Sequence, residues 1–221
     1  EARRTVPAGG MRSFDVDDMH NSYAPETPTA RGLRLRRDMP VHVFAGNFRD
    51  RHSDGMTALP VHALGTKYVT AGYNFAEAYE HFVVLATEDG TDVTITPAAP
   101  TSNVRPPGQP FTVPLDAGEV YYVKAYIAGQ GGSLTGSIIE ASKPVAVYSG
   151  AESGWVPVQG GNPSAYLNPM AEQMIPVRYL GCGYVAVPFR SRDRGDTYRV
   201  VATEDHTSVT IGGAPAIALA T

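Results

Sequence analysis

Val84-Leu-Ala-Thr-Glu-Asp-Gly-Thr-Asp-Val-Thr-Ile95 returns as Val200-Val-Ala-Thr-Glu-Asp-His-Thr-Ser-Val-Thr-Ile211, with nine of 12 positions identical at an offset of 116 residues. Each copy is a pair of β-branched runs broken by a polar turn, which predicts two short strands. In the first copy Asp89-Gly90 supplies the positive φ that a tight turn requires. Glu88-Asp-Gly-Thr91 therefore reads as a hairpin joining strands at 82–87 and 92–96. A segment that returns with its turn intact is a duplicated piece of architecture.

Working outward, Leu59-Pro-Val-His-Ala-Leu-Gly-Thr-Lys-Tyr-Val69 matches Ile175-Pro-Val-Arg-Tyr-Leu-Gly-Cys-Gly-Tyr-Val185 at six of 11 positions and at the same offset of 116. Gly32-Leu-Arg-Leu-Arg-Arg-Asp-Met-Pro-Val-His-Val-Phe-Ala-Gly46 echoes Gly136-Ser-Ile-Ile-Glu-Ala-Ser-Lys-Pro-Val-Ala-Val-Tyr-Ser-Gly150 at an offset of 104. The offsets differ because the loop after Gly150, with Trp155 and Gly160-Gly-Asn-Pro-Ser164, is longer than the one after Gly46. Thr5-Val-Pro-Ala-Gly-Gly10 resembles Thr112-Val-Pro-Leu-Asp-Ala-Gly118, a strand end entering a Pro/Gly turn.

The expected organisation is therefore the back half of one repeat over 1–46, a complete repeat over 47–150 and the front part of the next over 151–221. The chain reads as a fragment of something longer, with its open edges covered by flanking units or other subunits. Further strands are expected at 120–127, 137–140 and 144–148, the last opening with Pro144 at a position where its missing N–H is tolerated. Helical periodicity is weak, and its best candidate is 74–81, with Phe75, Ala76, Ala78 and Tyr79. The fold class is all-β: a tandem-repeat antiparallel β-sandwich-type architecture with little or no helix.

Apolar residues at 43%, charged residues at only 18%, 23 Gly and 18 Pro fit many short strands joined by tight turns. The net charge of −4 gives no footprint for a phosphate backbone, so nucleic acid is not an expected partner. The basic run Arg31-Gly-Leu-Arg-Leu-Arg-Arg37 reads as an edge strand with a charged outer face. With Cys182 alone, neither an internal disulfide nor a Cys-rich zinc site can form. No apolar stretch approaches the ~20 residues of a membrane helix.

Lys143-Pro-Val-Ala-Val-Tyr-Ser-Gly150, then Glu172-Gln-Met-Ile-Pro176, then Leu180-Gly181 and Tyr184-Val185, resembles the N-terminal domain family of the IgG-Fc-binding protein. That family takes in a mucus glycoprotein and many bacterial surface and adhesion-type proteins, and the similarity runs from about Gly32 to Ile211. The resemblance implies a β-rich extracellular recognition or assembly module; it carries no Fc-binding signature over to named residues. Low cysteine content looks more like a bacterial member than the disulfide-rich animal protein.

Candidate chemistry is sparse. Glu88-Asp89 and Glu204-Asp205 are acidic pairs, but two equivalent turns offer no distinct acid and base roles. They read as turn residues capping their own backbone. As calcium ligands they lack the alternating Asp spacing of a dedicated loop. His20, His42, His52, His62, His81 and His206 form no HxH or HExxH pattern, and Ala146 and Arg178 stand where His42 and His62 recur, so no metal site is expected. Ser149 and Ser153 lack a Gly-x-Ser-x-Gly elbow, and Cys182 answers to Thr66, a small side chain rather than a nucleophile.

No catalytic residue and no cofactor are therefore expected. The binding candidates are Arg194-Gly195-Asp196, an adhesion word in a polar loop, and the aromatics Tyr122 and Tyr126, which share the strand face opposite Tyr121, together with Trp155 in its long loop. The reading is a secreted or cell-surface module for adhesion or structural assembly, meeting a protein or glycan partner, with self-association through edge strands as a further route. Its rivals are a self-assembling fibre or sheath subunit and a carbohydrate-active enzyme on a β scaffold.

Overall fold

The computed structural model describes residues 5–16, 24–49, 52–73, 78–126, 132–154, 168–188, 196–212, 214 and 217–218. Twelve strands run in order: β1 (Thr29–Ala30), β2 (Phe44–Arg49), β3 (His52–Thr57), β4 (Gly65–Val69), β5 (Glu80–Ala86), β6 (Thr91–Thr96), β7 (Phe111–Leu115), β8 (Glu119–Lys124), β9 (Ile138–Gly154), β10 (Asn168–Gln173), β11 (Ser208–Val209) and β12 (Ile217–Ala218). Among the described residues the only helical pieces are single 3-10 turns at Val61–Ala63 and Val177–Tyr179. The fold is all-β and antiparallel throughout, as the composition and patterning predict.

The spine is β9, 17 residues long. Its first half pairs with β4 on one edge and β6 on the other, through Tyr68↔Ile139 and Ile95↔Ile139. Its second half lies between β5 and β10, through His81↔Gly150 and Ala171↔Gly150. Beyond these, β8 pairs with β5 and β7 with β6. Buried residues from both halves, including Tyr68, Phe82, Val93, Leu115, Tyr121 and Ile139, form one cluster. The sheet thus folds over a single core, with β9 passing from one layer to the other as corner strands do in sandwiches.

Two local expectations are corrected here. β5 and β6 do not pair with each other as a hairpin. Their partners descend β9 in one continuous run, from Ala151 to Val145 along β5 and from Ala141 to Ile138 along β6. Glu88-Asp-Gly-Thr91 is the corner between the layers, and Gly90 does adopt positive φ, at 60°. The corner is latched to its neighbours: Asp89 Oδ1 accepts from Ala117 N at 2.9 Å, Asp116 Oδ1 from Gly90 N at 2.9 Å, and Lys143 Nζ donates to the Asp89 carbonyl. Likewise 137–140 and 144–148 are parts of one strand. Pro144 sits mid-strand, where the β4 register shifts between Gly65 and Lys67, and an irregularity is where a strand tolerates proline.

Other boundaries shift for simpler reasons. The edge strand near the arginine run is β1 alone, paired through Thr29↔Val120; Arg31–Arg37 is outside any strand, and Leu33 and Leu35 are exposed. Of the helical candidate, 74–77 lies outside the described residues, while Ala78 forms a bridge and Glu80 and His81 belong to β5. β8 stops at Lys124, and Ile127 lies outside the described residues.

Strict alternation builds the core: in β5, Glu80, Phe82, Val84 and Ala86 point inward. Tyr68 is wholly buried, and its hydroxyl donates to Val145 O at 2.6 Å while accepting from Gly65 N at 2.8 Å. Glu80, also buried, accepts from Ser133 Oγ (2.7 Å), Leu134 N (2.9 Å) and Thr135 Oγ1 (2.8 Å), so the carboxylate is satisfied without a cation.

The hairpin β2–β3 and the pair β9–β10 have matching registers. Phe44↔Thr57, Ala45↔Met56 and Gly46↔Gly55 become Tyr148↔Gln173, Ser149↔Glu172 and Gly150↔Ala171. β3 and β10 begin and end 116 residues apart, as do the two 3-10 turns. His206 takes φ 61°, the conformation of Gly90, and Thr207 Oγ1 donates to Glu204 O at 2.7 Å just as Thr91 Oγ1 does to Glu88 O.

Candidate functional site

With Tyr121 and Val123 committed to the core, alternation sends Tyr122 and Lys124 to the outer face of β8. His81 on β5 is their cross-strand neighbour through the pair His81↔Lys124. Glu152, near the end of β9, completes the group because its backbone N–H bonds to Tyr79 O at 3.0 Å. Three strands thus assemble Tyr79, His81, Tyr122, Lys124 and Glu152 on one outward surface.

Glu152 Oε1 accepts from the Tyr122 hydroxyl at 3.1 Å and lies 2.9 Å from Lys124 Nζ. The Lys124 ammonium sits 3.6 Å from the centroid of the Tyr79 ring, a cation–π contact. The His81 and Tyr122 rings meet at 5.4 Å with a 60° tilt. Burial, then the Glu152 carboxylate, pushes the Tyr122 phenol far above its ordinary range, so it remains a donor. Burial holds His81 below its ordinary value, so the ring is neutral at pH 7. Its Nδ1 is buried without a hydrogen-bond partner among the described residues; no hydroxyl or thiol is held against it as a nucleophile would be. Aromatic faces framed by a fixed ion pair suit recognition at a half-wet surface.

A second feature is the seam between β3 and β10. Ala171 N donates to Asp54 Oδ2 at 2.6 Å, Ser53 N to Asn168 Oδ1 at 3.3 Å and Leu59 N to Gln173 Oε1 at 2.6 Å. Burial, then Asp54, raises the Glu172 carboxyl above its ordinary range. A cavity of about 160 Å³ opens here beside Ala45, Gly46, Met56, Pro169 and Ala171, below the ~300 Å³ at which drug-sized ligand pockets begin.

Of the residues singled out from sequence, Tyr122 lies within the outer-face group and Tyr126 is exposed just past the end of β8. Trp155, Arg194 and Gly195 lie outside the described residues. Asp196 is partly exposed and stands 116 residues after the buried Glu80. Cys182 is exposed. His81, Lys124, Tyr79 and Glu152 are not binding candidates in the sequence, where His81 is weighed only as a metal ligand and Tyr79 only as part of a helix; the strand register is what brings them together. No group of three metal-ligating side chains occurs among the described residues, and no helix there is long and apolar enough to cross a membrane.

The sequence profile of the family described as IgGFc binding protein matches residues 54–221, most of the chain, and the chain belongs to that family. No curated protein and no solved structure matches it.

Proposed function

We propose that this member of the IgGFc-binding protein family is a non-catalytic, exported module that recognises a protein partner or the glycans it carries. The observation that carries the reading is the Tyr79–His81–Tyr122–Lys124–Glu152 surface, presented by three hydrogen-bonded strands rather than by a mobile loop. Preordered aromatics lose little entropy on binding, which favours a contact surface. Under this reading binding runs through that surface with Tyr126 beside it and not through Arg194-Gly195-Asp196, and Trp155 is a further candidate. A protein partner follows the family description; a glycan partner, display at the cell surface or in a matrix, bacterial origin and tandem repetition of about 110-residue units belong to the proposal. The in-register hairpins and the matched corner turns support the repetition.

The test is binding of the whole chain to arrays of immobilised glycans, mucin-type glycoproteins and surface proteins. The expected result is retention that falls at least tenfold in Lys124→Ala and in Tyr126→Ala, without loss of fold. No retention on any surface, or release of sugar from an arrayed glycan, would sink the reading. Protease shaving of intact source cells tests export: peptides following Lys143 should be released without lysis.

The assembly reading, a fibre or sheath subunit, has its own support. Among the described residues, exposed apolar side chains are most frequent in two separate segments, 33–44 and 175–217, with others at Val6, Met11, Phe14 and Val16.

A further inference from the structure

We propose that the cavity in the seam between β3 and β10 is a binding site for an arginine side chain of a protein partner. The inference shares its partner class with the function proposed above but none of its residues, and the experiment below reads the cavity alone. The cavity measures about 160 Å³, and one of about 150 Å³ accepts a single benzene ring. It therefore has room for one side chain and not for a free ligand of ordinary size. Ala45 and Met56, opposite each other in the β2–β3 hairpin, line it from one strand pair, and Pro169 and Ala171 line it from β10. Gly46 and Gly55 contribute backbone alone. This apolar lining suits the methylene stem of a long side chain.

Polar chemistry selects the head group. Asp54 also lines the cavity, and each of its carboxylate oxygens already holds one backbone N–H: Oδ1 accepts from Gly55 N at 2.8 Å and Oδ2 from Ala171 N at 2.6 Å. A carboxylate has about four lone-pair positions. One therefore remains on each oxygen, the pattern that a bidentate guanidinium fork fills. The same two bonds fix the carboxylate before a partner arrives, so little freedom is lost on binding. Glu172 adds a second acid: its carboxyl is raised by burial and by Asp54, and no ion pair to either acid occurs among the described residues. A guanidinium beside them relieves that repulsion and, being weakly hydrated, leaves water more readily than an ammonium does. The lining has no aromatic ring on which a sugar could stack, and the two acids repel a phosphate.

Titration of the whole chain with N-acetyl-arginine amide, read by amide NMR, tests the site. The expected result is a saturable shift in the millimolar range at the Gly55 and Ala171 amides, the two donors to Asp54, with the amides of Tyr122 and Lys124 unmoved. N-acetyl-citrulline amide has the same shape without the charge and should bind about tenfold more weakly. Ala45→Leu, which fills the cavity, should abolish the shift. Glu172→Gln removes one acid while leaving both Asp54 bonds in place, and should weaken binding several-fold. Seam amides that stay unmoved at every arginine amide concentration overturn the inference, as do equal affinities for the arginine and citrulline probes. An undiminished shift in both Ala45→Leu and Glu172→Gln overturns it as well, and tighter binding of N-acetyl-lysine amide overturns the choice of a guanidinium. Failure of the outer-face surface to bind any partner leaves all of these outcomes as they are.

Discussion

Tyr68 and Tyr184 stand 116 residues apart in matching sequence, yet Tyr68 is wholly buried and Tyr184 lies open to solvent. The same contrast holds for Phe82 and Tyr198, and for Ile95 and Ile211. Both regions keep their 3-10 turn and their corner turn, so local conformation follows local sequence in each. What differs is β9. In the first region every front strand leans on it, and in the second the described residues hold no strand in its place. A β-branched run has its fold only where a neighbour satisfies its backbone and covers its apolar face.

Two glycines, Gly46 and Gly150, separate the regions most clearly. A Cβ on Gly150 would overlap the carbonyl oxygen of Met170, whereas one on Gly46, the corresponding residue, meets nothing. Gly150→Ala should part β9 from β10 and cost more than about 4 kcal/mol, or prevent folding, while Gly46→Ala stays within about 0.5 kcal/mol; urea denaturation of the two variants decides. Next, Phe82→Ala should cost about 3–5 kcal/mol, and Tyr198→Ala, at protein concentrations too low for association, less than about 0.5 kcal/mol. Comparable losses from both would mean that the second region carries its own core.

The carboxylates come third. Glu80→Ala strands Leu134 N and two hydroxyls inside the protein and should cost about 2–3 kcal/mol. Asp196→Ala should cost clearly less, and should leave partner binding unchanged. If that substitution abolishes binding while the fold survives, the tripeptide is an adhesion site after all.

The smallest effect is in pH. His81 is held below its ordinary value of 6.5 by burial, with Glu152 opposing, so the unfolded chain binds the proton more readily. Stability contributed by the neutral ring is present above pH 6.5 and is lost as pH falls through the lowered value. His81→Phe should flatten the pH dependence of the melting temperature below 6.5; an unchanged slope would place the titration elsewhere.

The all-β class and the positive φ at Gly90 were legible in the sequence because each depends on residues adjacent in the chain. The corner was not. Asp89-Gly90 looks the same whether the strands it joins turn back on one another or run on along a third, and only β9, some fifty residues away, decides between the two. Pro144 misled for a related reason, since a proline at a register shift and a proline at a strand's start have the same neighbours. The outer-face group needed β5, β8 and β9 in register, which no local pattern encodes. Asp196 belongs to a loop word in the sequence and also stands 116 residues after Glu80, and nothing in the sequence says that Glu80 is buried.

Local sequence alone does not make a core of 175–211: β9 is what orders β4, β5 and β6, and the described residues hold no strand in its place beside 175–211. Hydrogen exchange of the whole chain across a dilution series tests it directly. The account predicts that amides of β4, β5 and β6 stay protected at every concentration, while those of 196–211 exchange freely when dilute. Protection of 196–211 equal to that of β5 and β6 at the lowest concentration would contradict it.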